Sequence, residues 1–250
     1  MSTFATRRFV LLTVLAAAAF AVLVSLGIWQ LARLQWKEAL IARVEARVDD
    51  EAVAAPGRDA WPTLDLSEEE YLPVALSGHF LNDREIHVVY TLTEPKGRLG
   101  GLGYMVMTPF ETDDGWIAYV NRGFVPREKK DAATRAEGQI EGETVVTGLL
   151  RAPSRSAWFA PGDDPRGNEW FSRDPQAFAA ASGLPAADVA PYIVDARADP
   201  DLPGGIPQGG ETLIAFPNNH LQYVLTWFGL ALALAAVFVA YVVRLRRGGD

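Results

Sequence analysis

The chain has no cysteine. That excludes disulfides, thiolate zinc or copper sites and a cysteine nucleophile. Histidine is scarce: His79, His87 and His220 are the whole complement, too few for a multi-histidine metal centre. Basic residues are in deficit, 23 Lys and Arg against 31 Asp and Glu, for a net charge of −8. A nucleic-acid binder needs a basic face to neutralise phosphates, so that class is excluded. There is no G-x-S-x-G elbow, and nothing pairs a serine with His79 or His87 as nucleophilic catalysis requires. The glycine-rich GRLGGLG at 97–103 lacks the Lys-Ser/Thr of a phosphate loop and runs into a strand-like segment, so it reads as a flexible loop. No internal repeat is present.

Two uncharged runs stand out, residues 9–32 and 221–243. A hydrocarbon core of roughly 30 Å needs about 20 apolar helical residues, and both runs meet that. Trp29, Tyr223, Trp227 and Tyr241 lie near their ends, where rings settle at headgroup level. The first run exceeds the apolar core of a signal peptide, about 7–15 residues, so a retained helix is expected. Arg244, Arg246 and Arg247 follow the second run, and no Lys or Arg lies between residues 198 and 220. This places the C-terminus in the cytoplasm. The first helix is ambiguous by the same rule, with Arg7 and Arg8 before it and Arg33, Lys37, Arg43 and Arg47 after it. Residues 33–219 carry 18 basic and 30 acidic side chains, a net charge of −12. The expected organisation is a cytoplasmic N-terminus (1–8), a first transmembrane helix (9–32), an acidic domain outside the cytoplasm (33–219), a second transmembrane helix (220–243) and a cytoplasmic C-terminus (244–250).

Leu34, Ile41, Val44 and Val48 recur at helical spacing and predict a stalk helix at the start of the domain. Helix propensity breaks at residues 54–62. Short β-branched and aromatic runs then predict strands at 72–80, 85–93, 103–112, 116–124, 144–150 and 191–196. The firmest turn is ETDDGW, between the third and fourth of these. DPQAF predicts the N-terminus of a short helix over 174–182. Residues 127–142 read as a charged loop or short helix, and 152–169 and 199–210 as loops. The fold class is a membrane protein: two transmembrane α-helices flanking an extracytoplasmic, mainly antiparallel β domain (α+β), open or closed into a small barrel.

His79 and His87 read as ordinary strand residues, His87 as partly exposed. Met105 and Met107 share one strand face and read as core, two thioethers being a thin copper site. His220 differs. It lies in FPNNHLQY at the mouth of the second span, where an ionisable group is a functional-site candidate. A neutral imidazole there can hold a metal or a haem iron, or serve as an interfacial residue bonded to headgroups. Asn218 and Asn219 are placed to cap the helix and orient the ring.

The segments LGIWQLARLQWKEALI (26–41), LSGHF (76–80), GYMVMTPF (103–110), VNRGFVP (120–126), GLLRAP (148–153), EWFSRD (169–174), YIVDA (192–196) and PNNHLQYVLTWF (217–228) occur in one order. Together they resemble the surfeit locus protein 1 family, the Shy-type assembly factors of haem–copper oxidases, over residues 26–228. The resemblance implies a non-enzymatic role in maturing cytochrome c oxidase: binding haem a as transient cargo and assisting its insertion into subunit I. It also implies the bacterial cytoplasmic (inner) membrane, with the domain facing the periplasm, and oxidase subunit I, haem a synthase and the lipid bilayer as partners. His220 matches the family's haem-interacting histidine. Trp29, Gln30, Tyr223 and Trp227 match family positions in the same membrane region, and Arg33 is the nearest basic group for the haem propionates. Two positions depart from the family pattern: Phe124 stands where Trp is usual, and Val224 where Ala is usual. The competing readings are a scaffold that holds subunit I without carrying haem, and a two-span sensor or envelope enzyme. A sensor normally continues into a cytoplasmic signalling domain, whereas this sequence stops seven residues after Val243. For an enzyme, no catalytic constellation is evident.

Overall fold

A computed structural model describes residues 3–156, 161–212 and 219–247. It separates into a helical unit and a β domain, divided at residues 43/44 and 214/215.

The helical unit holds most of α1 (Thr3–Val48) and all of α3 (His220–Arg247). Both contain stretches long and apolar enough to cross a membrane. The run of α1 is unbroken through the predicted stalk. At 1.5 Å per residue its 46 residues span about 70 Å, more than twice a hydrocarbon core. The two helices touch where Gly27 leaves room for the Phe228 ring; a Cβ at Gly27 would lie 2.9 Å from it. Val224 and Ala231 of α3 are buried as well. Elsewhere Ala16, Ala17 and Phe20 of α1 and Leu234, Ala235 and Phe238 of α3 line an apolar cleft of about 310 Å³.

The β domain contains β1 (Val53–Ala54), β2 (Pro73–Phe80), β3 (Ile86–Leu92), β4 (Gly101–Thr112), β5 (Ile117–Pro126), β6 (Thr144–Arg151), α2 (Pro175–Ser182) and β7 (Val189–Ala196). The strands run in the order β1-β2-β6-β7-β5-β4-β3, and β2 also pairs with β4. That last pairing closes a five-stranded barrel, β2-β6-β7-β5-β4, with β1 and β3 added outside the ring. Pairing is mainly antiparallel, as expected; β5–β7 and β1–β2 are parallel. Closure happens at Gly78. Residues 73–78 of β2 pair with β6, and 78–80 pair with β4. Gly78 has φ 151°, and a Cβ there would collide with the Glu111 carbonyl and the Thr112 Cα.

Side chains from all five ring strands meet in one apolar cluster, including Val74, Phe80, Phe110, Val120, Leu150 and Tyr192, and so fill the lumen. A second cluster covers the outside of β3, β4, β5 and β7. It contains Met105, Met107, Phe124, Trp170 and Phe178, so the two methionines and Phe124 are packing residues. Helix α2 lies in this layer. Asp174 caps it by accepting from Gln176 N and Ala177 N, and Gly183 ends it in the left-handed region at φ 67°.

His87 is a correction: it is buried, not partly exposed. Its strand ends the sheet, and the 163–173 segment pairs along its free edge. Trp170 N donates to His87 O, and Val89 N donates to Trp170 O. His87 Nε2 donates to Glu85 Oε1 at 3.0 Å, and Asn168 Nδ2 donates to His87 Nδ1 at 3.1 Å. Arg135, also buried, pairs with the same Glu85 oxygen. His79 stays half-exposed, between Glu111 and Glu143.

Four of the segments singled out in the sequence converge on one buried carboxylate. Asp195 of YIVDA accepts from Asn121 of VNRGFVP at 2.9 Å and from Arg151 of GLLRAP at 3.1 Å, and pairs with Arg173 of EWFSRD. Thr212 adds a fourth donor. Burial by itself would raise the Asp195 carboxyl. The Arg173 and Arg151 charges and the Asn121 bond outweigh it and hold the group below the usual carboxylate range. These motif residues therefore tie β5, β6, β7 and the 163–173 segment together.

Candidate functional site

His220 is the first residue of α3. Asn219 precedes it, and its carbonyl accepts from Tyr223 N at 3.3 Å, which opens the helix. Asn218 lies outside the described residues. The group that orients the imidazole is Gln30 of α1: His220 Nδ1–H donates to Gln30 Oε1 at 2.7 Å. Gln30 is only 9% exposed. It sits one turn from Gly27, so the close approach of the helices that Gly27 permits also seats the amide.

This bond has a chemical consequence. A neutral imidazole has one N–H, and a carbonyl oxygen can only accept. With Nδ1 donating to Gln30, the remaining nitrogen, Nε2, carries the lone pair. Among the described residues Nε2 has no hydrogen-bond partner. A histidine with one nitrogen fixed by an outer partner and the other free is the arrangement metal ligands use.

The remaining candidates divide into two sets. Val224, one turn along α3 from His220, is buried, whereas Tyr223 is 51% exposed and Trp227 is half-buried. Trp29 and Arg33 lie on an outward face of α1. The Arg33 guanidinium is 5.8 Å from the Trp29 ring and 5.5 Å from that of Trp36, so two indoles flank it. Arg33 makes no hydrogen bond or ion pair with any described residue, which leaves its donors for a group from outside. Residue spacing does not single out Trp36; only its position one turn beyond Arg33 relates it to the site. Gln30 and the Trp29–Arg33–Trp36 ladder are thus neighbouring stretches of α1, and His220 reaches Gln30 from α3. The structure brings His220 and Gln30 into contact and leaves Trp29 and Tyr223 facing outward.

The site's resources are one imidazole nitrogen, a flanked guanidinium and aromatic surface, with the apolar cleft beginning ten residues away on α1, about 15 Å along the helix. They suit an amphiphilic ligand with a metal and an acidic edge. The only basic nitrogen in the set is His220 Nε2, so a bound metal would draw one protein ligand from it.

The SURF1 family model matches residues 17–232. The chain is 40% identical over 219 residues to Surfeit locus protein 1 of Homo sapiens, covering 83% of this chain and 70% of that protein. It is 38% identical to Surfeit locus protein 1 of Mus musculus, over 88% of this chain and 72% of the relative. A SURF1-like protein of Monosiga brevicollis is 38% identical over 90% of this chain and 83% of its own length.

Proposed function

The chain belongs to the SURF1 family, and from that premise we propose that it is a non-enzymatic assembly factor for haem–copper cytochrome c oxidase. It binds haem a as cargo and assists its insertion into subunit I, acting in the bacterial cytoplasmic membrane with its β domain on the periplasmic side. One observation carries this reading: Gln30 holds His220 in the tautomer that leaves Nε2 free at the mouth of a membrane helix.

The donor set fits the cargo. Haem a joins an iron, an isoprenoid tail and two propionates. His220 Nε2 would be the nitrogen that holds the iron. The cleft between α1 and α3 offers apolar surface for the tail, and Arg33, without an acceptor among the described residues, faces the need of the propionates. Tyr223 and Trp227 add aromatic surface beside the imidazole. A single nitrogen ligand suits a carrier, which must let its load go. Subunit I is the receiving partner, with haem a synthase as the source.

The second reading is a scaffold that holds subunit I without haem. In that case His220 only ties α3 to Gln30. The two are separated by the visible spectrum of the protein, purified in mild detergent from cells that make haem a, beside His220→Ala. A haem band in the wild type that is lost or shifted in the variant supports the carrier. A colourless wild-type protein on which oxidase assembly still depends sinks it and leaves the scaffold.

A further inference from the structure

Arg122 of VNRGFVP is 6% exposed, yet none of the ion pairs among the described residues includes it. Its guanidinium donates only to neutral acceptors: the Gly138 carbonyl, Asn82 Oδ1 at 3.2 Å and Gln139 Oε1 at 3.4 Å. The Phe80 ring lies 4.5 Å from its Cζ. Gln139 Nε2 is buried with no partner. Turning that amide would place its N–H groups against the guanidinium, so the orphaned donor is fixed where it is. The acid that most influences Arg122 is Glu85, which is already committed to Arg135 and His87. Burial pulls the Arg122 guanidinium down to about 10, with Glu85 opposing and Arg135 adding to the shift.

A cavity of about 250 Å³ opens beside it, lined by Phe80, Arg122, Ile140, Thr147, Leu202 and Pro207 among others. Arg197 also borders this space, but its Nη2 donates to the Val48 carbonyl. Isolated buried charge is strongly unfavourable, and proteins normally answer it with a counter-ion. Asp199 borders the same space, but its carboxylate accepts from Asp201 N and makes no ion pair with Arg122 among the described residues, so the guanidinium has no counter-ion and there is space for one.

We infer that this cavity binds a small carboxylate anion, with Arg122 as its cationic floor. A guanidinium presents a planar fork that matches a carboxylate in a way no single ammonium does. The volume admits one compact group. The site lies wholly in the β domain and stands independently of the haem reading.

The test is thermal unfolding of the full chain in detergent, titrated with sodium acetate or succinate against sodium chloride at equal ionic strength. The expected result is a saturable rise in Tm with either carboxylate, above that with chloride. Thr147→Trp fills the cavity from an exposed wall position without touching the bonds of Arg122, and should abolish the rise. Arg122→Lys keeps the charge but loses the fork, and should weaken the apparent affinity about tenfold or more. Carboxylates that shift Tm no further than chloride, or a Thr147→Trp protein that responds like the wild type, would overturn the assignment.

Discussion

Gln30 and His220 lie 190 residues apart and meet at 2.7 Å. If Gln30 selects the tautomer, replacing it should hurt metal binding without removing the ligand. Gln30→Leu should lower haem affinity about tenfold to hundredfold, the usual loss when an outer partner of a metal ligand is removed. Spectral titration of the detergent-purified protein measures this, and an unchanged affinity would reduce Gln30 to packing. His220 was legible in the sequence because it is an ionisable group at a membrane boundary. Its partner's role was not: a glutamine in GIWQ matched a family position, but spacing cannot say which atom it meets. His87 shows the complementary failure. Its strand looks half-exposed because alternation reports one covered face, whereas Asn168 and Arg135 close over the His87 side.

Among the elements, β2 decides the architecture. It changes partner at Gly78, and the β2–β4 pairing that closes the ring is only three residues long. Gly78→Ala would push a methyl group into the backbone of Glu111 and Thr112. We expect it to destabilise the domain by at least about 1–3 kcal/mol, the scale of a residue forced into a sparsely populated conformation. Hydrogen exchange should show the loss first at residues 78–80 and 110–112, and uniform protection there would refute the importance of the seam. The seven strands, apart from two-residue β1, were readable from β-branched runs and turn residues, and α2 from its Asp-Pro start. Closure was not readable. It depends on one glycine among 22 and on a register that no local pattern encodes. Nor was the Asp195 junction, because its members come from four separate segments that look like ordinary strand and loop polar residues.

For the whole molecule, the balance of charge sets how it meets acid. Asp195 and Glu85 both titrate below their usual ranges in the folded domain. For each, burial works in the opposite direction and is outweighed: by Arg173, Arg151 and Asn121 at Asp195, and by the His87 and Arg135 bonds at Glu85. A carboxyl depressed by folding contributes stability that is fully present above its unfolded value, about 4. That contribution is lost as pH falls through the folded value. Tm should therefore hold steady from neutral pH to about 5 and drop steeply below about 4. In Asp195→Asn the drop should be shallower and start from a Tm already lowered, because the part-buried Arg173 loses its ion-pair partner while Arg151 keeps only Glu70. A variant with the wild-type acid profile would show that Asp195 does not govern it. The Gln30–His220 contact has one more implication, and it concerns time. A ribosome makes Gln30 early and His220 only after the entire β domain, so for most of its synthesis the chain carries half a site. Ligand arriving at the growing chain finds no prepared imidazole. Competence begins only when the second helix is laid beside the first, and it arrives after the domain's own sequence is complete.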